Sequence, residues 1–296
     1  MIRRKLTQFA AEYDRSEERL TGGDDQSSIH YPAVFLFIGD KSREAIQPIM
    51  RMNEKKWENS EGLIYLYAGS AGEPADARLL KYHFPVAAQE EANPQTLRPG
   101  LYRRFYADAQ GLPELNRVLR QASGALAEYG RLYPAFDRVR LSIVTRVDDP
   151  FNVLVPEISL LAEAIFRQSF KAVQMDLYAL INEREGAEAF GYSSSLGVAF
   201  LRELNLMQQP DFALTAPLHV TEDGLAIPVS HPPSPLFDLV YILSDRDERG
   251  IASNQGMQGC YEAISHISLL KNRQYKEQMF HANNAVYNNT SFKTTS

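Results

Sequence analysis

The stretch that decides the fold is VFLFIGDKSREAI, residues 34–46. Its five apolar residues before Gly39 predict a strand that is buried on both faces of a parallel sheet, because such strands carry unbroken apolar runs. The residues after Asp40 predict a helix that begins where a nucleotide-binding fold places its phosphates. The further glycines of a phosphate-binding turn are missing after Gly39. The stretch therefore predicts an architecture, and leaves the activity open.

The composition narrows the class of protein. The chain has 296 residues, of which 44% are hydrophobic and 23% charged, as in an ordinary globular protein. A net charge of −6 argues against bulk electrostatic binding to nucleic acid or to a membrane surface. Cys260 is the single cysteine, so it cannot form an internal disulfide or a cysteine-based metal site. With no apolar leader and no stretch of transmembrane length, we expect a cytoplasmic protein.

Strands and helices alternate along the chain. We predict an N-terminal helical arm and linker (1–30), an α/β domain (31–282) and a polar, mobile tail (283–296). The periodicity predicts strands near 33–38, 63–67, 139–145, 173–181 and 236–243, and helices near 42–54, 112–129, 156–170, 195–206 and 258–280. A β-hairpin is predicted with its turn at Glu222-Asp223-Gly224, and residues 73–111 carry no clear signal.

This order of elements implies a three-layer, doubly wound and mainly parallel sheet, with helices on both faces and a β-hairpin insertion. In such a fold the binding loops gather at the carboxyl ends of the strands. The loops after the predicted strands are therefore where a functional site is expected.

The segment 236–270 resembles the nucleotide-binding domain of the tubulin and FtsZ superfamily, in particular its divergent bacterial tubulin-like members. A strand there leads into a charged loop, then to Asn254, then to a helix that carries Tyr261. Gly39 stands where that family has its first glycine-rich loop. The resemblance covers roughly residues 33–282 and implies GTP with magnesium as the cofactor.

The resemblance also implies nucleotide contacts beyond the first loop. Asn182 ends the strand whose end meets the ribose in that family. Asn254 and Tyr261 resemble the residues that pair with and stack on guanine, and Asp245 lies in a loop that would hydrogen-bond the nucleotide. Three of these four residues have a structural alternative: Tyr261 as a core residue, and Asn182 and Asp245 as solvated polar residues at strand ends.

The chain departs from the family at its second phosphate loop. Tubulins and FtsZ have GGGTGSG there, because glycines let successive backbone N–H groups converge on phosphate oxygens. This sequence has RVDDPFN, residues 146–152. Its two carboxylates would repel a triphosphate and Pro150 lacks an N–H group. Asp148 and Asp149 could bind magnesium through their oxygens, or could cap the following helix.

The first loop also allows two interpretations. Lys41 and Arg43 could bind an anion with charged side chains in place of the missing glycine N–H groups, at a helix N-terminus that favours anions. Alternatively, the segment is a polar helix start with Asp40 as its N-cap.

Other chemistries lack their motifs. No histidine pair has metal-ligand spacing, no GxSxG nucleophile turn occurs and no GxGxxG follows the first strand. The family's long helix leads into an activation domain, and this sequence stops near that point, so we expect no GTP hydrolysis. Two hypotheses stand. The favoured one is a degenerate tubulin-like module, a pseudo-GTPase that assembles with itself or with a protein partner. The alternative is a GTP-binding or GTPase module that uses Lys41, Arg43 and a metal.

Overall fold

The structure is a computed structural model that describes residues 31–57, 60–72, 78–84, 94–131, 137–183, 190–221, 224–246, 249–251, 253–254 and 256–272. The predicted N-terminal arm (1–30) and tail (283–296) lie outside the described residues. So do residues 222 and 223 of the predicted hairpin turn and the predicted helix beyond residue 272.

Eight strands and six α-helices make up the described parts of the chain. The strands are β1 (Ala33–Ile38), β2 (Leu63–Gly69), β3 (Leu79–His83), β4 (Arg138–Arg146), β5 (Ala172–Ile181), β6 (Leu214–Val220), β7 (Ala226–His231) and β8 (Leu239–Ser244). The helices are α1 (Ile46–Lys56), α2 (Pro94–Ala107), α3 (Gly111–Arg131), α4 (Val155–Phe166), α5 (Phe190–Met207) and α6 (Gln258–Asn272). Short 3-10 turns, Asp40–Ala45 and Pro150–Leu154, lead into α1 and α4.

Six of the strands form one parallel sheet in the order β3-β2-β1-β4-β5-β8. The chain moves outward in one direction from β1 and in the other from β4, so the switch point of the fold lies between these two strands. Ile38 at the end of β1 pairs with Ala68 of β2 and with Thr145 of β4. The loops that follow β1, β2 and β4 therefore meet at one edge of the sheet.

Helices cover both faces of the sheet, which confirms the predicted three-layer, doubly wound class. Phe35 and Phe37 of β1 pack on one face with residues of α1 and α6. Val34, Leu36 and Ile38 pack on the other face with α2, α3, α4 and α5. Because both faces of β1 are buried, its side chains must be apolar throughout, as the opening stretch of the sequence predicts.

The predicted hairpin is confirmed as the antiparallel pair β6–β7. Asn116 of α3 fixes its position from inside the core. The Asn116 side-chain amide donates to the carbonyl of Leu218 at 2.8 Å, and its oxygen accepts from the N–H of Val220 at 3.1 Å. Buried backbone groups need such partners, so this amide joins the hairpin to the helical layer.

Several boundaries differ from the predictions. The helix expected near residue 42 begins as a 3-10 turn, and α1 proper starts at Ile46. Pro48 then lies in the first turn, where its missing N–H costs no helical hydrogen bond. Strand β8 begins three residues late because Asp238 turns toward β5: its carboxylate accepts from the N–H of Met175 at 2.7 Å. The segment without a clear signal contains β3 and α2.

Of the helices in the described parts of the chain, none combines the length and the apolar character needed to cross a lipid bilayer.

Candidate functional site

Gly39 directly follows β1 and has a backbone conformation that glycine alone adopts easily. Its N–H continues the sheet by donating to the carbonyl of Ala68 at 2.8 Å, and its φ of 96° then turns the chain. A Cβ atom at this position would lie 2.5 Å from the Cγ of Asp149. Gly39 is therefore required twice, by its backbone conformation and by the close approach of the second loop.

Asp149 connects the loops after β1 and β4. Its carboxylate is completely buried and accepts two backbone hydrogen bonds, from the N–H of Lys41 at 2.6 Å and from the N–H of Phe151 at 2.8 Å. The second bond makes Asp149 the N-cap of the 3-10 turn before α4, which confirms the capping interpretation. The first bond was not expected from the sequence, and it brings the same carboxylate to the start of the other turn.

Burial determines the charge state of Asp149. Complete burial is the largest cause that raises the pKa of Asp149 to about 7, and the charges of Asp40 and Asp148 add to the rise. The N–H groups of Lys41 and Phe151 oppose it, because they favour the ionised carboxylate. Near neutral pH this group is therefore divided between its two protonation states.

Asp148 lies in the opposite environment, between two cations. The Arg146 guanidinium, only 1% exposed, donates to the two oxygens of Asp148 at 2.9 and 3.0 Å. The Lys41 ammonium donates to the same carboxylate at 2.6 Å. Burial alone would raise the pKa of Asp148, but the hydrogen bonds and charges of Arg146 and Lys41 hold it below its ordinary value. Lys41 therefore neutralises a carboxylate of the protein itself.

The expectation that Asp40 is an N-cap is wrong. The N-cap position of the turn is Gly39, whose conformation directs the Asp40 side chain toward the loop after β2. There the Asp40 carboxylate accepts from the N–H groups of Ser70 at 2.7 Å and Ala71 at 3.0 Å. It also accepts from the hydroxyls of Tyr67 and Ser70. Asp40 thus caps a third loop, 30 residues along the chain.

Arg43 belongs to the same end of the sheet. Its guanidinium donates to the carbonyl of Gly72 at 3.2 Å, from an exposed position. The structure therefore brings together Gly39, Asp40, Lys41, Arg43, Asp148 and Asp149.

The other candidate residues lie just after β5 and β8, in the loop before α6 and in α6 itself. Asp245 is completely buried, and its carboxylate accepts from the N–H of Glu183 at 3.0 Å. Asn182, directly after β5, is half-buried, and Asn254 is exposed in a turn. Tyr261 is 6% exposed within the apolar cluster on the α1 and α6 face, and burial raises its pKa to about 12. Tyr261 thus packs as a core residue, which is the structural alternative to stacking on a base.

The donor set at Asp148 and Asp149 does not fit a magnesium ion. Each carboxylate already accepts hydrogen bonds at both oxygens, and Arg146 and Lys41 place two positive charges beside Asp148. In the described parts of the chain, no group of three or more His, Cys, Asp or Glu side chains is arranged to hold a metal ion. Asp148 and Asp149 as magnesium ligands remain a prediction that these contacts do not support.

Sequence reasoning missed three residues of this site. Arg146 was assigned to the loop, whereas it is the last residue of β4 and is buried. A charged residue at the end of an apolar strand, two positions before a carboxylate, was the available signal. Ser70 and Ala71 gave no signal, because they contribute backbone N–H groups, which every residue except proline has.

Comparison with known proteins gives likeness in structure only. No protein-family model matches the chain, and neither does any curated protein. The chain is similar to CetZ from Methanosaeta thermophila strain DSM 6194, with 11% identity and a TM-score of 0.40 over 82% of this chain and 52% of that one. It is also similar to TubZ of Clostridium botulinum phage c-st, with 12% identity and a TM-score of 0.20 over 68% of this chain and 67% of that one.

The chain thus spans about half the length of the CetZ chain, at 52%. Both structures belong to the tubulin and FtsZ family, the one that the sequence resembles. At these TM-scores the likeness supports no assignment of site residues or activity.

The close approach of Gly39 to Asp149 can be tested by paired substitutions. We expect Gly39→Ala to lower the free energy of unfolding by about 3 kcal/mol, from a positive φ plus overpacking. Gly224→Ala is the control: its φ is 79°, but an added Cβ meets no atom within 4 Å, so strain alone should cost about 1 kcal/mol. Urea denaturation measures both. Equal losses in the two variants would contradict the contact.

The raised pKa of Asp149 predicts a pH dependence of stability. The folded protein holds this proton up to about pH 7, whereas the unfolded chain releases it near 3.8. Stability from this group is therefore complete at low pH and is lost as pH rises toward 7, by about 1.4 kcal/mol per pKa unit. The difference in unfolding free energy between wild type and Asp149→Asn should decline from pH 4 to pH 7 and then level off. A difference independent of pH would rule out the raised pKa.

Proposed function

We propose that this chain is a tubulin-like α/β domain that acts as a structural or protein-interaction module and does not hydrolyse GTP. The observation that carries the proposal is the position of the Asp149 carboxylate, on backbone N–H groups at two adjoining loops. A nucleotide-binding protein leaves such groups for phosphate oxygens. Here the chain supplies its own acceptor.

The same substitution occurs at the third loop. The Asp40 carboxylate accepts from the N–H groups of Ser70 and Ala71, which follow β2 at the edge where phosphate would lie. Two side-chain carboxylates therefore occupy backbone donors at three neighbouring loops. A bound phosphate would have to displace these carboxylates and leave a buried Asp149 without its hydrogen bonds, which is costly.

The cations at this end of the sheet are engaged by the protein's own groups: Arg146 and Lys41 donate to Asp148, and Arg43 donates to the carbonyl of Gly72. The pKa of Asp148 is lowered, so it remains ionised. Lys41, which the alternative GTPase hypothesis needs for phosphate, donates to Asp148 at 2.6 Å with its side chain 33% exposed. If Lys41 bound phosphate instead, Arg146 would be the one of these two cations that still contacts Asp148. The arrangement therefore gives the GTP-binding alternative no phosphate contact from Lys41.

A domain that keeps the sheet and replaces the phosphate contacts retains a rigid surface. We infer that its role is to assemble with a protein partner or with itself, and that GTP and magnesium are not required. The carboxylates then have a structural role, because they hold three loops together where a ligand would otherwise do so.

Thermal unfolding with GTP and magnesium tests this proposal. Ligand at about a hundred times its dissociation constant would add ~2.7 kcal/mol of stability, which raises the melting temperature of a domain by several degrees. We expect no shift for wild type. A shift that disappears in Lys41→Ala, but persists in the control Arg51→Ala on the exposed side of α1, would contradict the proposal and support the GTP-binding alternative.

A further inference from the structure

Among the described strands, β8 forms an edge of the large sheet without the charged residue or proline that usually protects such an edge. Edge strands normally carry charged residues or proline, which prevent pairing with other chains. At the opposite edge of the large sheet, β3 contains Lys81, and in the hairpin β6 and β7 contain Pro217 and Pro228. Among the edge strands of the described sheets, β8 alone has neither, with the sequence LVYILS.

The outer side of β8 has both polar and apolar binding groups. In a parallel pair, alternate residues of an edge strand direct their N–H and C=O groups away from the neighbouring strand. Ile242 of β8 is 40% exposed, and the remaining residues of the strand are half-buried. At the carboxyl end the Ser244 carbonyl already accepts from the Cys260 thiol at 3.2 Å, so the edge available for pairing is Leu239–Leu243.

An aromatic row ends at this edge. Tyr178 of β5 is in register with Tyr241 of β8, and their rings stack with centroids 5.0 Å apart and an interplanar angle of 11°. The Lys271 ammonium lies 5.8 Å from the centre of the Tyr241 ring. A further strand would place an apolar or aromatic side chain beside Tyr241, where cross-strand pairs stabilise a sheet.

The size of this edge identifies its occupant. Five or six residues of strand extend ~20 Å, so the contact is one strand wide and ~20 Å long. A stable pair of folded proteins buries about 800 Å² on each partner, whereas a strip one strand wide and ~20 Å long presents only about 100 Å². A single extended peptide needs less area, since its main chain supplies hydrogen bonds along its length. The strip therefore fits an extended peptide better than a second folded copy.

We propose that the Leu239–Leu243 edge of β8 binds an extended, uncharged, apolar segment of a partner protein, which adds a seventh strand to the sheet. The inference rests on the proposed interaction function and names its surface. Ile242 contacts one side chain of the added segment on one face, and Tyr241 contacts another on the opposite face.

A labelled peptide probes the edge directly. The probe is a fluorescein-labelled peptide of the uncharged sequence STVYVTS, titrated with the full chain and followed by fluorescence anisotropy. We expect saturable binding that weakens at least about tenfold in Ile242→Lys, because the added segment would bury the lysine. Leu206→Lys is the matched control, since Leu206 is 62% exposed on α5, and should bind as wild type does. No saturable binding up to ~1 mM, or equal binding by both variants, would overturn the proposal.

Amide hydrogen exchange on the wild-type chain guards against misfolded variants and identifies other occupants. Edge-facing amides of β8 should exchange quickly in the free chain and become protected when the probe is present. Protection in the free monomer would mean that another segment of this chain covers the edge, and the proposal would fail. A dimer in light scattering that Ile242→Lys abolishes would identify a second copy as the occupant and would also overturn it.

The two proposals can fail separately, because the peptide titration contains no nucleotide. A GTP-dependent rise in melting temperature together with normal peptide binding would contradict the proposal that the chain does not use GTP. It would leave the β8 proposal standing. Absence of peptide binding together with no GTP effect would remove only the β8 assignment.

Discussion

One buried carboxylate holds the centre of this structure together. Asp149 accepts the backbone N–H groups of Lys41 and Phe151, and so joins the loops after β1 and β4 across the switch point of the sheet. Gly39 depends on it, because no side chain fits between the two loops. Backbone donors at such turns need an acceptor, and the protein satisfies them internally.

The neighbouring charges are arranged around that carboxylate. Arg146 and Lys41 keep Asp148 ionised, whereas burial raises the pKa of Asp149 to about 7. Asp40 anchors the loop after β2 in the same manner, on Ser70 and Ala71. The result is a set of three neighbouring loops whose N–H groups at Lys41, Phe151, Ser70 and Ala71 already donate to carboxylates of the chain. A fold of this kind can lose ligand binding and keep its sheet, since function lies in the loops and stability in the strands. We propose that the edge of β8 is the part of its surface that binds a partner.

Sequence patterns predicted the parts of the fold that depend on local chemistry. The apolar run of β1 and the alternating helices fixed the layer order, and the carboxylates of residues 146–152 indicated that this loop differs from a phosphate loop. The pairing of Asp40 with Ser70 and Ala71 could not be predicted. It joins residues 30 positions apart through backbone N–H groups, which do not depend on residue type. Strand β3 and helix α2 were missed because Pro94 and Pro99 give helix α2 the composition of a loop, and β3 is only five residues long.

The most direct test is the response of two backbone amides to pH. In NMR spectra, the N–H protons of Lys41 and Phe151 should shift together in a single titration with a midpoint near pH 7, because both donate to Asp149. The Asp149→Asn variant should show no such titration. If the two amides titrate independently, or stay constant in pH but move when GTP is added, the donors are open to a ligand and the account is contradicted.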